Sequence, residues 1–124
     1  MKMTDKALIL FAHGARDPRW AAPFEAVAAQ VRTLQPAVHV RLAYLELMQP
    51  SLPEAADELV AAGCRQVSVL PLFLGTGGHV RHDLPLLVEA LRKAHPDTRF
   101  TLHPAAGEHP AVIAALAGIA AAAS

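Results

Sequence analysis

The sequence predicts an α/β fold: a three-layer sandwich in which a four-stranded parallel sheet of flavodoxin-like order carries helices on both faces. Three observations predict it. Short strand-like segments alternate with helical ones in the order βαβαβαβα, which calls for parallel strands joined by right-handed crossovers. The first of these segments is apolar without alternation, as a strand covered on both faces must be. Finally, the 124 residues are 53% hydrophobic and only 18% charged. A chain of this length hides roughly two thirds of its unfolded surface, enough for one ordinary core. The expectation is a single domain spanning residues 1–124, and not a disordered chain.

Ala7-Leu8-Ile9-Leu10-Phe11-Ala12 forms the first strand and stops at His13-Gly14. Asp17 followed by Pro18 reads as a cap and first-turn proline, and Trp20, Phe24, Val27, Val31 and Leu34 recur at helical spacing until Pro36. Val38 to Leu45 is rich in β-branched and aromatic residues and makes a second strand, ending near Glu46. Ser51 and Glu54 have the spacing of a capping box, opening a second helix that Gly63 closes in a left-handed conformation. Val67 to Leu74 is a third strand, which Pro71 should end early or bulge, since it has no amide to donate. The segment 75–79 reads as a loop. Asp83 then caps a helix bearing Leu84, Leu87, Val88 and Leu91; Arg99 to Leu102 is a fourth strand; and Pro110 opens a final helix.

Lys plus Arg number 11 and Asp plus Glu number 11. No global positive field therefore gathers nucleic acid or anionic lipid, and neither is expected as a partner. A lone cysteine, Cys64, excludes an internal disulfide framework and a multi-cysteine metal site, and makes the cytoplasm the expected compartment. The apolar run before His13 is too brief for a signal peptide. The alanine-rich tail is too short to span a bilayer, which needs about 20 apolar residues.

The seven histidines of this neutral chain point to its chemistry. In open parallel sheets ligands bind beyond the carboxyl ends of the strands, where the strand order reverses, here between the first and third strands. His13 lies immediately past the first, His79 shortly past the third and Glu46 past the second. Two imidazoles and a carboxylate suit Co²⁺, Fe²⁺, Ni²⁺ or Zn²⁺ better than Mg²⁺ or Ca²⁺. Two or three protein ligands also leave coordination positions open, as transfer or catalysis requires. The same residues also fit a strand-end histidine bonded to backbone and a solvent-facing loop histidine. Arg16, Arg19 and Arg81 place guanidinium groups near both histidines, suited to bidentate pairing with an acidic substrate. Gly77 and Gly78 supply bare amides, although no Lys-Ser or Lys-Thr follows to make a P-loop. Met48, Phe73 and Leu74 fit an apolar wall or a core equally well. Cys64 reads as inert filler.

The segments Leu10-Phe11-Ala12-His13-Gly14-Ala15-Arg16, Ala43-Tyr44-Leu45-Glu46 with Pro50-Ser51-Leu52, Val69-Leu70-Pro71-Leu72-Phe73-Leu74 and Gly78-His79-Val80-Arg81-His82-Asp83-Leu84-Pro85 resemble, in order and over nearly the whole chain, the sirohydrochlorin chelatase family of the short CbiX type. The resemblance implies a class II chelatase that inserts Co²⁺, or Fe²⁺ or Ni²⁺ in close relatives, into sirohydrochlorin on the way to cobalamin, sirohaem or coenzyme F430. It implies no organic cofactor, the metal being substrate. By position, His13 and His79 match the histidines that the family uses for metal binding and proton removal, and Glu46 matches an acidic position of the motif. Short members pair as homodimers, each chain resembling one lobe of the two-lobed enzymes. Ala15 departs from the serine that members often carry after His-Gly, which bears on substrate contacts and not on the metal.

Two other readings of the residues stand beside this one. A metal-binding module without catalysis, or a subunit of a larger chelatase, would carry the same ligands. A histidine-dependent phosphatase would want an arginine just before the histidine, where this chain has Ala12.

Overall fold

The structure is a computed structural model that describes residues 3–75 and 77–124; the side chain of His79 also lies outside the description. The elements run β1 (Lys6–Ala12), α1 (Ala22–Leu34), β2 (His39–Tyr44), α2 (Leu52–Ala61), β3 (Gln66–Pro71), α3 (Gly78–Ala94), β4 (Arg99–Leu102) and α4 (Pro110–Ala123), with 3₁₀ turns at Pro18–Ala21 and Ala106–Glu108. The four strands are all parallel, in the order β2-β1-β3-β4. β1 is central, with Phe11 set between Ala43 and Pro71. Its double coverage explains the apolar run: Ile9 and Phe11 face one side and Leu10 the other, all three within 1% of full burial.

On the first face Ile9, Phe11, Val67, Val69 and Phe100 pack against Leu52, Ala55, Ala56 and Leu59 of α2 and Leu84, Val88 and Leu91 of α3. Cys64 is buried in the same core, and burial pushes its thiol pKa up, consistent with an inert residue. The second face is covered by α1, through Ala28 and Val31 on Leu10, Val40 and Leu42.

Local signals explain most boundaries. Ser51 and Glu54 make both bonds of the capping box, at 3.2 and 3.1 Å. Serine caps typically contribute about 1 kcal/mol, so Ser51→Ala should lower the melting temperature by about 4 °C, read by calorimetry. Gly63 has φ +95° just past α2. Pro71 ends β3, three residues before the end the sequence suggested, because the ladder can take no donor there. Asp17 caps a 3₁₀ turn and not α1 itself, which starts at Ala22 with Pro23 in its first turn.

One further expectation is corrected, and two helices prove more exposed than the rest. The helix expected from Asp83 begins at Gly78 and runs through Pro85, so residues 78 and 79 belong to its first turn and not to a loop. Asp83-Leu84-Pro85 imitates a helix start, but the buried row Leu84, Val88 and Leu91 holds α3 on the sheet as one rod. The apolar stripe of α1 is only partly covered: Val27 is 41% and Leu34 75% exposed, because the contact with the sheet runs through the small Ala28. Lastly, α4 does not settle on the sheet. It packs chiefly on the Ala106–Glu108 turn, and every residue from 113 to 124 is exposed. No helix among the described residues is long and apolar enough to cross a membrane.

Candidate active site

The site forms at the carboxyl edge of the sheet, where the chain leaves β1 towards one face and β3 towards the other. A cleft of about 430 Å³ opens there, lined by Phe11 and His13 from the end of β1, Leu45 and Glu46 from the turn after β2, and Val80, Asp83, Leu84 and Leu87 from α3. His13 and Glu46 are thus brought together by the strands that carry them. The backbone locks the pairing: the Leu45 amide donates to the Ala12 carbonyl at 2.9 Å and the Glu46 amide to the His13 carbonyl at 3.0 Å.

Gly14 makes this approach feasible. Its φ is +91°, and a Cβ added there would overlap the carbonyl oxygen of Glu46. Only glycine fits a left-handed position with a neighbouring backbone against it. Beyond Glu46 the chain reverses in a three-residue turn, the Met48 amide donating to the Glu46 carbonyl at 2.8 Å over Leu47, which has φ +66°. A non-glycine residue in that region stores about 1–3 kcal/mol of strain, which surrounding structure must hold in place. Glu46 therefore sits in a fixed turn.

His13 is exposed, and its ring stacks on Phe73 with centroids 4.1 Å apart and planes inclined by 26°. Among the described residues no hydrogen bond is made to the His13 ring, so the expectation of a backbone-bonded strand-end histidine is not what the structure shows. The backbone of His79 lies in the first turn of α3, directly before Val80, which lines the cleft. Where the ring of His79 lies is outside the described residues. Among those residues no group of three His, Cys, Asp or Glu side chains gathers in metal-binding geometry.

The remaining candidates are spread around this edge. Arg16 is exposed. Arg19 is engaged by Asp17, whose carboxylate accepts from Nε and from the terminal guanidinium nitrogen at 3.1 and 2.8 Å; that contact holds the Asp17 carboxyl below its ordinary pKa. Arg81, in the first turns of α3, reaches Glu108 at 3.8 Å. Gly77 caps α3 and Gly78 begins it, and among the described residues nothing lies within 4 Å of the space a Cβ would fill at either. From sequence Phe73 fits a wall or a core equally well and Asp83 fits a helix cap; nothing in their spacing assigns them to the site. Of the other histidines, His95 bonds Asp57 at 2.8 Å and ties α3 to α2, away from the cleft.

The CbiX family model matches residues 7–122. The sirohydrochlorin cobaltochelatase of Methanothermobacter thermautotrophicus is 37% identical over 79 residues, covering 63% of this chain and 54% of that protein. The sirohydrochlorin cobaltochelatase of Methanocaldococcus jannaschii is 32% identical over 92 residues, covering 73% and 63%. The matched stretch thus spans little more than half the length of these relatives. Among solved structures, a cobalamin (vitamin B12) biosynthesis CbiX protein from Marinobacter aquaeolei VT8 superposes with a TM-score of 0.80 at 33% identity, covering 93% of both chains. The sirohydrochlorin chelatase SirB from Bacillus subtilis subspecies spizizenii, solved in complex with cobalt, shares the fold, with a TM-score of 0.73 at 24% identity over 95% of this chain and 49% of its own. On the family match and the Marinobacter likeness together, this chain belongs to the CbiX family.

Proposed function

We propose that the protein is a class II metal chelatase that inserts Co²⁺, or alternatively Fe²⁺ or Ni²⁺, into sirohydrochlorin, in cobalamin or sirohaem biosynthesis. The observation that carries the reading is the cleft that sets His13 and Glu46 against the first turns of α3, the helix that bears His79. The curated relatives named as sirohydrochlorin cobaltochelatases support the choice of tetrapyrrole and metal. The domain, 1–124, acts as one lobe.

Metal insertion exchanges two pyrrole N–H protons for one divalent ion. Few protein ligands hold the ion, so it leaves readily, and a neutral imidazole accepts a proton near pH 7. In this scheme His13 and His79 hold the incoming metal; as the ion passes to the macrocycle, the His79 nitrogen it vacates accepts one pyrrole proton and Glu46, in its fixed turn, takes the other. Phe11, Leu45, Val80, Leu84 and Leu87 offer an apolar wall for the face of the macrocycle. Arg16, Arg81 and the amides of Gly77 and Gly78 meet its carboxylates. Arg19 joins them by releasing Asp17, which costs little because an ion pair this exposed to water is weak. No organic cofactor takes part, and the proposed compartment is the cytoplasm.

The proposed assembly is a homodimer. Along α4, Ile113 and Ile119 are 56% and 67% exposed, and its sequence from Pro110 to Ala123 has no charged residue. Beside its root the molecule keeps an apolar hollow of about 550 Å³, lined by Leu70, Ala105, Ala106, Pro110 and Val112 among others. An apolar helix and an apolar hollow on one chain are complementary across a two-fold axis, so a second copy of the chain covers both. Sedimentation equilibrium should give twice the chain mass, and Ile113→Asp combined with Ile119→Asp should return it to one chain mass at micromolar concentration. A wild-type protein of one chain mass contradicts the assembly.

The function is tested by mixing the protein with sirohydrochlorin and each of the three ions and following the visible spectrum. Insertion faster than in buffer supports it. Binding of metal with no acceleration identifies a binding module instead.

A further inference from the structure

We propose that Phe73 is a positioning residue: its ring is the platform that fixes the plane and rotamer of the His13 imidazole, and with them the direction in which that imidazole offers its nitrogen to a metal ion. The inference rests on the reading of His13 as a metal ligand. The two rings stack with centroids 4.1 Å apart and planes inclined by 26°, close enough for their faces to be in van der Waals contact. A ligating histidine is ordinarily oriented by a hydrogen bond from its other nitrogen to a carboxylate or carbonyl. His13 makes none among the described residues, so the stack is its orienting contact.

Phe73 is itself held from three sides. It is 2% exposed, and its ring lies 5.8 Å from that of Phe11. Its carbonyl accepts from the Gly107 amide at 2.9 Å, and the preceding Leu72 amide donates to the Phe11 carbonyl at 2.7 Å. Gly107 has no room for a side chain, since an added Cβ would overlap the backbone of Leu74. The end of β1, the end of β3 and the 3₁₀ turn after β4 thus fix the backbone that carries the phenyl ring.

The donor lone pairs of an imidazole lie in the ring plane, so fixing the plane fixes the direction of the lone pairs, at a residue that lines the cleft. The two kinds of orienting contact differ chemically. A hydrogen-bonded carboxylate raises ligand basicity and tightens metal binding. A phenyl face orients without a proton acceptor, which suits an ion that must be handed on. A metal on the imidazole makes that ring electron-poor and strengthens its stacking on the phenyl face.

The test uses the metal-free and Co²⁺-titrated protein with Phe73→Leu, Phe73→Tyr and, as a control for lost stability, Leu59→Ala in α2. Three-bond NMR couplings report the χ1 rotamer of His13, and titration reports the Co²⁺ affinity. Wild type should show one rotamer. Phe73→Leu should show averaged couplings and an affinity weaker by about 3- to 10-fold, and Phe73→Tyr should restore both. Leu59→Ala should melt earlier with unaltered couplings. If the leucine variant does not fold, Phe73→Met gives the same reading with more of the volume kept. A single His13 rotamer without the phenyl ring, or equal averaging in Leu59→Ala, overturns the assignment. The couplings need neither metal nor tetrapyrrole, so a wild-type protein that fails to insert metal contradicts the proposed function while the couplings still decide the role of Phe73.

Discussion

Replacing His79 with alanine should lower the rate of Co²⁺ insertion into sirohydrochlorin by about 10²- to 10⁴-fold, the range that a positioned general base contributes. The loss should fall on the chemical step and not on folding. Residue 79 sits in the first turn of α3, where alanine is a better helix former than histidine. Melting temperature should therefore hold while the rate collapses. His13→Ala should be comparably damaging, because a metal held by one imidazole alone loses both affinity and direction. His39→Ala is the matched control, since His39 begins β2 at the opposite edge of the sheet; its rate should stay at the wild-type value. A His79→Ala protein that inserts metal at the wild-type rate would remove this residue from the mechanism.

The second large effect is structural. Gly14→Ala forces a side chain into a left-handed position, φ +91°, and into the carbonyl of Glu46. Left-handed strain of about 1–3 kcal/mol and overpacking of about 1–3 kcal/mol together suggest a loss of about 3 kcal/mol. For a domain of this size that lowers the melting temperature by about 10 °C. Activity should fall further than stability, because the clash separates the two backbone segments that hold His13 and Glu46 in one cleft. Calorimetry alongside the insertion assay at a temperature where the variant is folded separates the two effects. An alanine variant that melts and turns over like wild type would show that the close approach at Gly14 is not needed.

Most of the architecture could be read from local chemistry. The apolar β1 run, the Ser51 and Glu54 capping box, Gly63 after α2 and Pro110 before α4 each state a backbone preference that the folded chain obeys. The start of α3 could not, because Asp83-Leu84-Pro85 carries a true start signal that packing of Leu84, Val88 and Leu91 overrides. The exposure of α4 was equally hidden. A wholly apolar helix reads as buried, and only the three-dimensional arrangement leaves residues 113–124 exposed.

The candidate site divides along the same line. That His13 and Glu46 share an edge follows from strand order alone, since both close neighbouring parallel strands. Side-chain engagement has no sequence signal: the Phe73 stack depends on a turn fixed by Gly107, far along the chain, and the Arg19 fork is held by Asp17 two residues before it.

In the proposed mechanism His13 and His79 grip one transition ion together. The most direct measurement of this is a crystal structure of the Co²⁺-loaded protein with the ion located by anomalous scattering. A single cobalt peak within bonding distance of both rings, with coordination positions left open towards the cleft, is the predicted result. Cobalt bound to only one of the rings, or bound elsewhere with both rings empty, would contradict it.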